Sequence, residues 1–137
     1  MSGSEEKALI EAAREVRERA HAPYSKFKVG AALFSRNGRI FTGCNVENAS
    51  YGLTLCAERA ALVSAVSGGE REFEALAICA PGAPAPCGAC RQVLNEFGPE
   101  LMILMVNSSN HETARTHLST LLPEAFQQDS LDICPGL

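Results

Sequence analysis

Two short stretches of this 137-residue chain carry the side chains whose types and spacing could do chemistry: Cys56-Ala57-Glu58-Arg59 and Pro86-Cys87-Gly88-Ala89-Cys90-Arg91. The first offers a thiol and a carboxylate two positions apart, and the second offers two thiols three apart, directly after a proline. Three thiolates can hold a zinc ion and leave its fourth position for water, the open arrangement of a catalytic rather than a structural site. A carboxylate beside that water, and not itself a ligand, is what a hydrolytic centre needs to move protons. A lone Cys-x-x-Cys would suit a structural zinc or a redox pair equally well. The third cysteine in Cys-x-Glu form, with the proline before the pair, favours the catalytic arrangement.

Helix starts are the elements that must position these groups. Residues from about Leu55 to Val66 read as a helix closed by Gly68-Gly69, and Cys87 to about Phe97 as another, stopped by Gly98-Pro99. Cys87 and Cys90 then share one face of a turn, with Cys56 on the first turn of the facing helix. All three thiols would meet helix N-termini, whose partial positive charge favours the metal-binding thiolates. Glu58 would point away from Cys56 in a helix interior, so it reaches the water only if Cys56 sits near the helix boundary. Three thiolates bring −3 to a +2 ion and weaken it as a Lewis acid. Arg59 and Arg91 follow the two stretches, and guanidinium donation to the sulfurs would withdraw charge and restore the metal's acidity.

Before the first stretch, Ser4 is expected to cap a helix with Glu5 and Glu6 in its first turn. Leu9, Ile10, Ala13, Val16 and Ala20 recur at helical spacing up to Pro23, with His21 as a helix-end cation. Asn37-Gly38 predicts a tight hairpin between strands from about Phe27 to Phe34 and Arg39 to Val46. Asn45 and Glu47 would share a face if the second strand persists that far. A loop over Glu47 to Gly52 leads into the second helix. Leu76 to Ala80 and Leu101 to Val106 are apolar runs without alternation, which predicts strands buried on both faces with helices on both sides. Pro81 to Pro86 is a loop by composition. After a turn over Asn107 to Asn110, a short fifth strand and a helical turn precede Pro123. Cys44, Cys79 and Cys134 lack partner spacing. Cys44 and Cys79 are expected to pack as small apolar residues, and His111 and His117 to lie on the surface.

A chain of this length makes one domain, residues 1–137, able to bury its own core. With 46% apolar residues, 20% charged residues and a net charge of −4, it is an ordinary globular composition. No run of lysines or arginines offers the basic stripe that nucleic acid requires. Glu5, Glu6 and Lys7 stand where a secretion signal would be apolar, and no apolar run is long enough to span a bilayer. Cysteines in such a chain point to reduced thiols or metal, and the expected location is cytoplasmic.

Taken together, Tyr24-Ser25-Lys26-Phe27, Val29-Gly30-Ala31-Ala32, Gly43-Cys44-Asn45-Val46-Glu47-Asn48, the two cysteine stretches and Leu121-Leu122-Pro123-Glu124-Ala125-Phe126 closely resemble the short, homotetrameric cytidine deaminases. The resemblance runs through nearly the whole chain in order. It implies a three-layer α/β/α fold with a five-stranded mixed sheet, one zinc per subunit, and hydrolysis of cytidine and deoxycytidine to the uridines and ammonia in pyrimidine salvage. Position by position, Cys56, Cys87 and Cys90 match the zinc ligands and Glu58 the proton shuttle. Asn45 and Glu47 match the groups on the ribose hydroxyl, Phe27 the aromatic beside the pyrimidine, and the Ala57 main chain a contact to the base. Tyr51 and Phe126 match residues that complete a neighbouring subunit's pocket.

Deaminases of the nucleoside antibiotic blasticidin S share the cysteine stretches, but Asn45-x-Glu47-Asn48 resembles the ribose-binding version. Deaminases of guanine, or of adenosine in RNA, resemble a pattern with His in place of Cys56. A zinc-stabilised binding module without turnover is the remaining alternative, and such a module gains nothing from the free carboxylate of Glu58.

Overall fold

The computed structural model describes residues 1–128 and Leu131, so Cys134 lies outside the described residues. Helix α1 spans Gly3–Arg17 and is capped by Ser2 rather than Ser4. Ser2 Oγ accepts from the Glu5 N–H at 3.1 Å, and the Ser2 N–H donates to the Glu5 carboxylate at 2.8 Å. This reciprocal pair satisfies two amides at once, which a cap at Ser4 could not do with Glu5. The helix stops at Arg17, short of Pro23. His21 therefore lies outside it, bridged to Val46 in extended backbone, with its N–H donating to the Asn45 carbonyl at 3.0 Å.

Strands β1 (Gly30–Ser35) and β2 (Ile40–Cys44) form the antiparallel hairpin, turning at Asn37-Gly38 with Gly38 at φ +83°. Both strands are shorter than the apolar pattern suggests, because the segments on either side are held by side chains rather than by the ladder. β3 (Phe73–Ala80) lies antiparallel to β1 and parallel to β4 (Met102–Asn107), and β5 (Thr113–His117) closes the far edge antiparallel to β4. The order across the sheet is β2-β1-β3-β4-β5. Helices α2 (Ala57–Ser67) and α3 (Gly88–Asn95) and the one-turn α4 (Leu118–Leu121) complete the chain.

Alternate residues of the central strands face opposite layers, as the pleat requires. Ala32, Phe34, Ala75, Ala77, Cys79, Leu104 and Val106 pack with Leu9 and Ala13 of α1. Ala31, Leu33, Leu76, Ile78 and Ile103 pack on the other face with Ala57, Ala61, Leu62 and Ala65 of α2, Leu94 of α3 and Leu118. The result is a three-layer α/β/α domain around a mixed five-stranded sheet. Cys79 is a buried apolar filler and Cys44 is half-buried. His111 and His117 are exposed.

Two contacts fix α2, which carries the first chemical stretch. At its C-terminal end, buried Glu70 accepts from Asn37 Nδ2 at 3.0 Å and Arg39 at 3.2 Å, while Arg39 also donates to the Gly68 carbonyl at 3.0 Å. Along its length it touches β2 at Gly43, where a Cβ would come 2.4 Å from the Ala61 nitrogen and 2.7 Å from the Ala57 carbonyl. Backbone cannot yield as a flexible side chain can, so any side chain at 43 must push α2 off the sheet. Gly43→Ala should lower stability in denaturant melts by about 1–3 kcal/mol, whereas Gly3→Ala, with open space around it, should not.

Candidate metal centre

The chain enters both helices at a cysteine. Cys56 is the N-cap of α2, at φ −72°, ψ 150°, and Cys87 is the N-cap of α3, at φ −64°, ψ 167°. Extended backbone at the cap turns each sulfur back over the first turn. Cys90 follows inside α3, with its N–H donating to Cys87 Sγ at 3.5 Å. The sulfurs of Cys56, Cys87 and Cys90 lie within 4.8 Å of one another. Among the described residues they form a group of three with no fourth His, Cys, Asp or Glu donor. Sulfurs on one tetrahedral zinc ion, with Zn–S bonds of about 2.3 Å, are about 3.8 Å apart. The cluster therefore fits such an ion with little movement.

The charges fit as well. The Cys90 thiol beside it, and the Arg59 guanidinium, hold the Cys56 thiol down at about 5, against the cost of burial. Cys90 is pushed strongly up by the Cys56 sulfur and by burial. Crowded sulfurs cannot all ionise unaided, and a divalent cation is the group that lets all three shed their protons. Arg59 Nη2 donates to Cys56 Sγ at 3.2 Å, while its Nε is buried with no hydrogen-bond partner among the described residues. Arg91 does something else. Its Nε donates to the Pro86 carbonyl at 2.7 Å and its Nη1 to the Leu121 carbonyl at 2.8 Å. Donation to a sulfur, expected from its place after Cys90, is replaced by a main-chain clamp that ties the proline before Cys87 to α4.

Glu58, in the first turn of α2, is 6% exposed. Burial raises its carboxyl pKa, and the Cys56 charge adds to that; its own N–H, the Cys90 thiol and Arg59 pull the other way. It stands against the sulfur cluster yet outside the ligand set. Ala57, between Cys56 and Glu58, is fully buried, and Cys56 makes no side-chain cap bond.

A second group of expected site residues gathers on the 22–29 loop. β2 ends before Asn45, so Asn45 and Glu47 are ordered by this loop rather than by a continuing strand. Asn45 Oδ1 accepts from the Val29 N–H at 2.9 Å and Nδ2 donates to the Phe27 carbonyl at 2.8 Å. Glu47 Oε1 accepts from the N–H groups of Tyr24 and Ser25 at 3.0 and 3.2 Å, and Oε2 from the Ser25 hydroxyl at 2.5 Å. The Ser25 hydroxyl, then burial opposing it, and then these amides leave the Glu47 carboxyl below its ordinary pKa. Tyr24, Ser25, Glu47, Tyr51 and Thr54 line a cleft of about 260 Å³, with the Tyr24 and Tyr51 rings 5.6 Å apart. Phe27 is half-exposed. Phe126 is elsewhere, its carbonyl accepting from Gln92 Nε2 at 2.8 Å, on a separate cleft with Asn95, Phe97 and Pro99. Sequence reasoning missed Ser25 as a site group, although its place in Tyr24-Ser25-Lys26-Phe27 was in view.

Residues 3–106 match the family model described as the cytidine and deoxycytidylate deaminase zinc-binding region. The cytidine deaminase of Sporosarcina psychrophila is 46% identical over 125 residues, covering 90% of this chain and 92% of that one. The crystal structure of cytidine deaminase from Burkholderia pseudomallei superposes with a TM-score of 0.85 at 52% identity, covering 92% of this chain and all of that one. A blasticidin-S deaminase of Bacillus cereus is more distant, at 28% identity over 115 residues, 77% of this chain and 81% of that one. With cobalt(II) in place of zinc, one equivalent per chain should give the visible spectrum of a tetrahedral, sulfur-rich site. Cys90→Ala should abolish that spectrum.

Proposed function

We propose, for a chain that belongs to the cytidine and deoxycytidylate deaminase family, the hydrolysis of cytidine and deoxycytidine to uridine and deoxyuridine with release of ammonia. One observation carries the proposal: a buried carboxylate, Glu58, beside three converging sulfurs but not among the metal's ligands. A purely structural zinc needs no such group. Cys56, Cys87 and Cys90 hold one zinc ion per subunit, which when bound lowers the pKa of a water and makes it a nucleophile near neutral pH.

Glu58 does the proton work. It takes a proton from the water and delivers it to N3 of the pyrimidine, which makes C4 more electrophilic. The water oxygen bonds to C4, and as the C–N bond there breaks Glu58 carries the second proton from that oxygen to the departing amino group, which leaves as ammonia. Burial raises its carboxyl pKa, and one carboxyl group within reach of donor and acceptors can serve first as base and then as acid. The Ala57 main chain meets the base, and Phe27 flanks it. Arg59 withdraws charge from the Cys56 sulfur, and Arg91 steadies the Cys87-Cys90 turn through Pro86.

Asn45 and Glu47 hold the ribose. Their hydrogen bonds to the loop leave Asn45 Nδ2 a second proton to donate and Glu47 Oε2 a further lone pair to accept with. A hydroxyl both accepts and donates, so the pair suits one sugar hydroxyl. The negative Glu47 disfavours a phosphate on that sugar, so the free nucleoside is the substrate. Tyr51 and Phe126, both well exposed and on separate clefts of one chain, complete the pocket of a neighbouring subunit in a homotetramer. Residues 1–137 act as one domain, in cytoplasmic pyrimidine salvage, with neither nucleic acid nor membrane as a partner. No helix among the described residues is long and apolar enough to cross a membrane.

Added protein should cause the ultraviolet absorbance of cytidine to fall with release of ammonia, and a chelator should stop it. Equal activity on blasticidin S or free cytosine would contradict the assignment. Glu58→Gln should retain its zinc by metal analysis and lose about 10²–10⁴ in turnover.

A further inference from the structure

Ser25 stands where two parts of the proposed pocket meet. Its Oγ donates to Glu47 Oε2 at 2.5 Å and accepts from the Phe27 N–H at 3.0 Å. A hydroxyl has a single proton, and an amide can only donate to it, so that proton is committed to Glu47. The other carboxylate oxygen, Oε1, is held by the main-chain amides of Tyr24 and Ser25, at 3.0 and 3.2 Å. Those two donors survive any substitution that keeps the backbone. Oε2 has the Ser25 hydroxyl, and it is the oxygen with capacity left for a ligand.

The loop is shaped to present that hydroxyl. Lys26, between Ser25 and Phe27, has φ +61°, in the left-handed region that non-glycine residues seldom adopt, and its N–H donates to the Ala22 carbonyl at 3.0 Å. A tight, over-determined turn of this kind is what brings the serine oxygen under the Phe27 amide. Ser25 and Glu47 line the same cleft. Ser25 is exposed and lies outside the strands, so deleting its hydroxyl alters the cleft without disturbing the sheet.

We infer that Ser25 is a positioning residue for the sugar end of the substrate, its hydroxyl aiming Glu47 Oε2 at a ribose hydroxyl. This deepens the proposed function and rests on Glu47 being the sugar-binding group. The test compares the zinc-loaded enzyme on cytidine and on 2′,3′-dideoxycytidine, which keeps the base and lacks those hydroxyls. Ser25→Ala should raise KM for cytidine about tenfold, the usual scale for a hydrogen bond to a charged group. It should leave kcat within about twofold and KM for the dideoxynucleoside nearly unchanged. Ser25→Thr should restore the cytidine value. Equal losses on both substrates, or a loss confined to kcat, would reduce Ser25 to loop support and overturn the inference. Glu47→Gln separates the two claims. If it removes the preference for cytidine while Ser25→Ala keeps it, the positioning role is wrong and the sugar reading stands. If Glu47→Gln keeps the preference too, both fall.

Discussion

Three sulfur atoms held within 4.8 Å of one another are mutually repulsive once ionised, and the rest of the molecule is arranged around keeping them there. Each of the two helices involved begins at a cysteine. The first amides of a helix lack intrahelical partners and carry partial positive charge. Pointing two such ends at one cluster offsets part of the repulsion before any cation arrives. Arg59 adds a full positive charge on one side, and burial raises the carboxyl pKa of Glu58 beside the cluster.

Holding two helix starts in register demands a stiff support. β1 and β3, buried in the middle of the sheet, supply it, and their faces are rich in alanine: Ala31, Ala32, Ala75 and Ala77. Small residues let helices approach closely, and Gly43 carries this to direct backbone contact with α2. The parallel pairing of β3 with β4 obliges the chain to cross over between them, and α3 is that crossover. One end of α3 carries two of the sulfurs. Arg91, directly after the second of them, ties that end to α4 through the Leu121 carbonyl.

The sulfur cluster was legible because it is local. Cys56-x-Glu58 and Pro86-Cys87-x-x-Cys90 need only a helix boundary to become a site, and glycines and prolines mark such boundaries in sequence. The layered fold followed from two apolar runs, at Leu76 to Ala80 and Leu101 to Val106, whose lack of alternation told of burial on both faces. What escaped depended on side chains that compete with regular structure. Ser2 outcompeted Ser4 because only it could pair reciprocally with Glu5. Helix α1 stopped before Ala20, since the backbone at His21 is bridged to Val46. Asn45 ended β2 by bonding the 27–29 backbone with its own amide. Arg91 was misjudged for a related reason. Adjacency to Cys90 says nothing of distant acceptors, and the Leu121 carbonyl was thirty positions further along the chain.

Caps at Cys56 and Cys87 also govern which length changes this scaffold can survive over evolutionary time. Each added residue turns a helix by about 100°. One insertion between Cys87 and Cys90, or between Cys56 and Glu58, would swing the second group out of reach of the first. No later compensation in the core could bring it back. Changes in length are tolerated best in connections that hold no ligand, such as residues 81–86 and the turn at 108–112, and least inside the two short stretches.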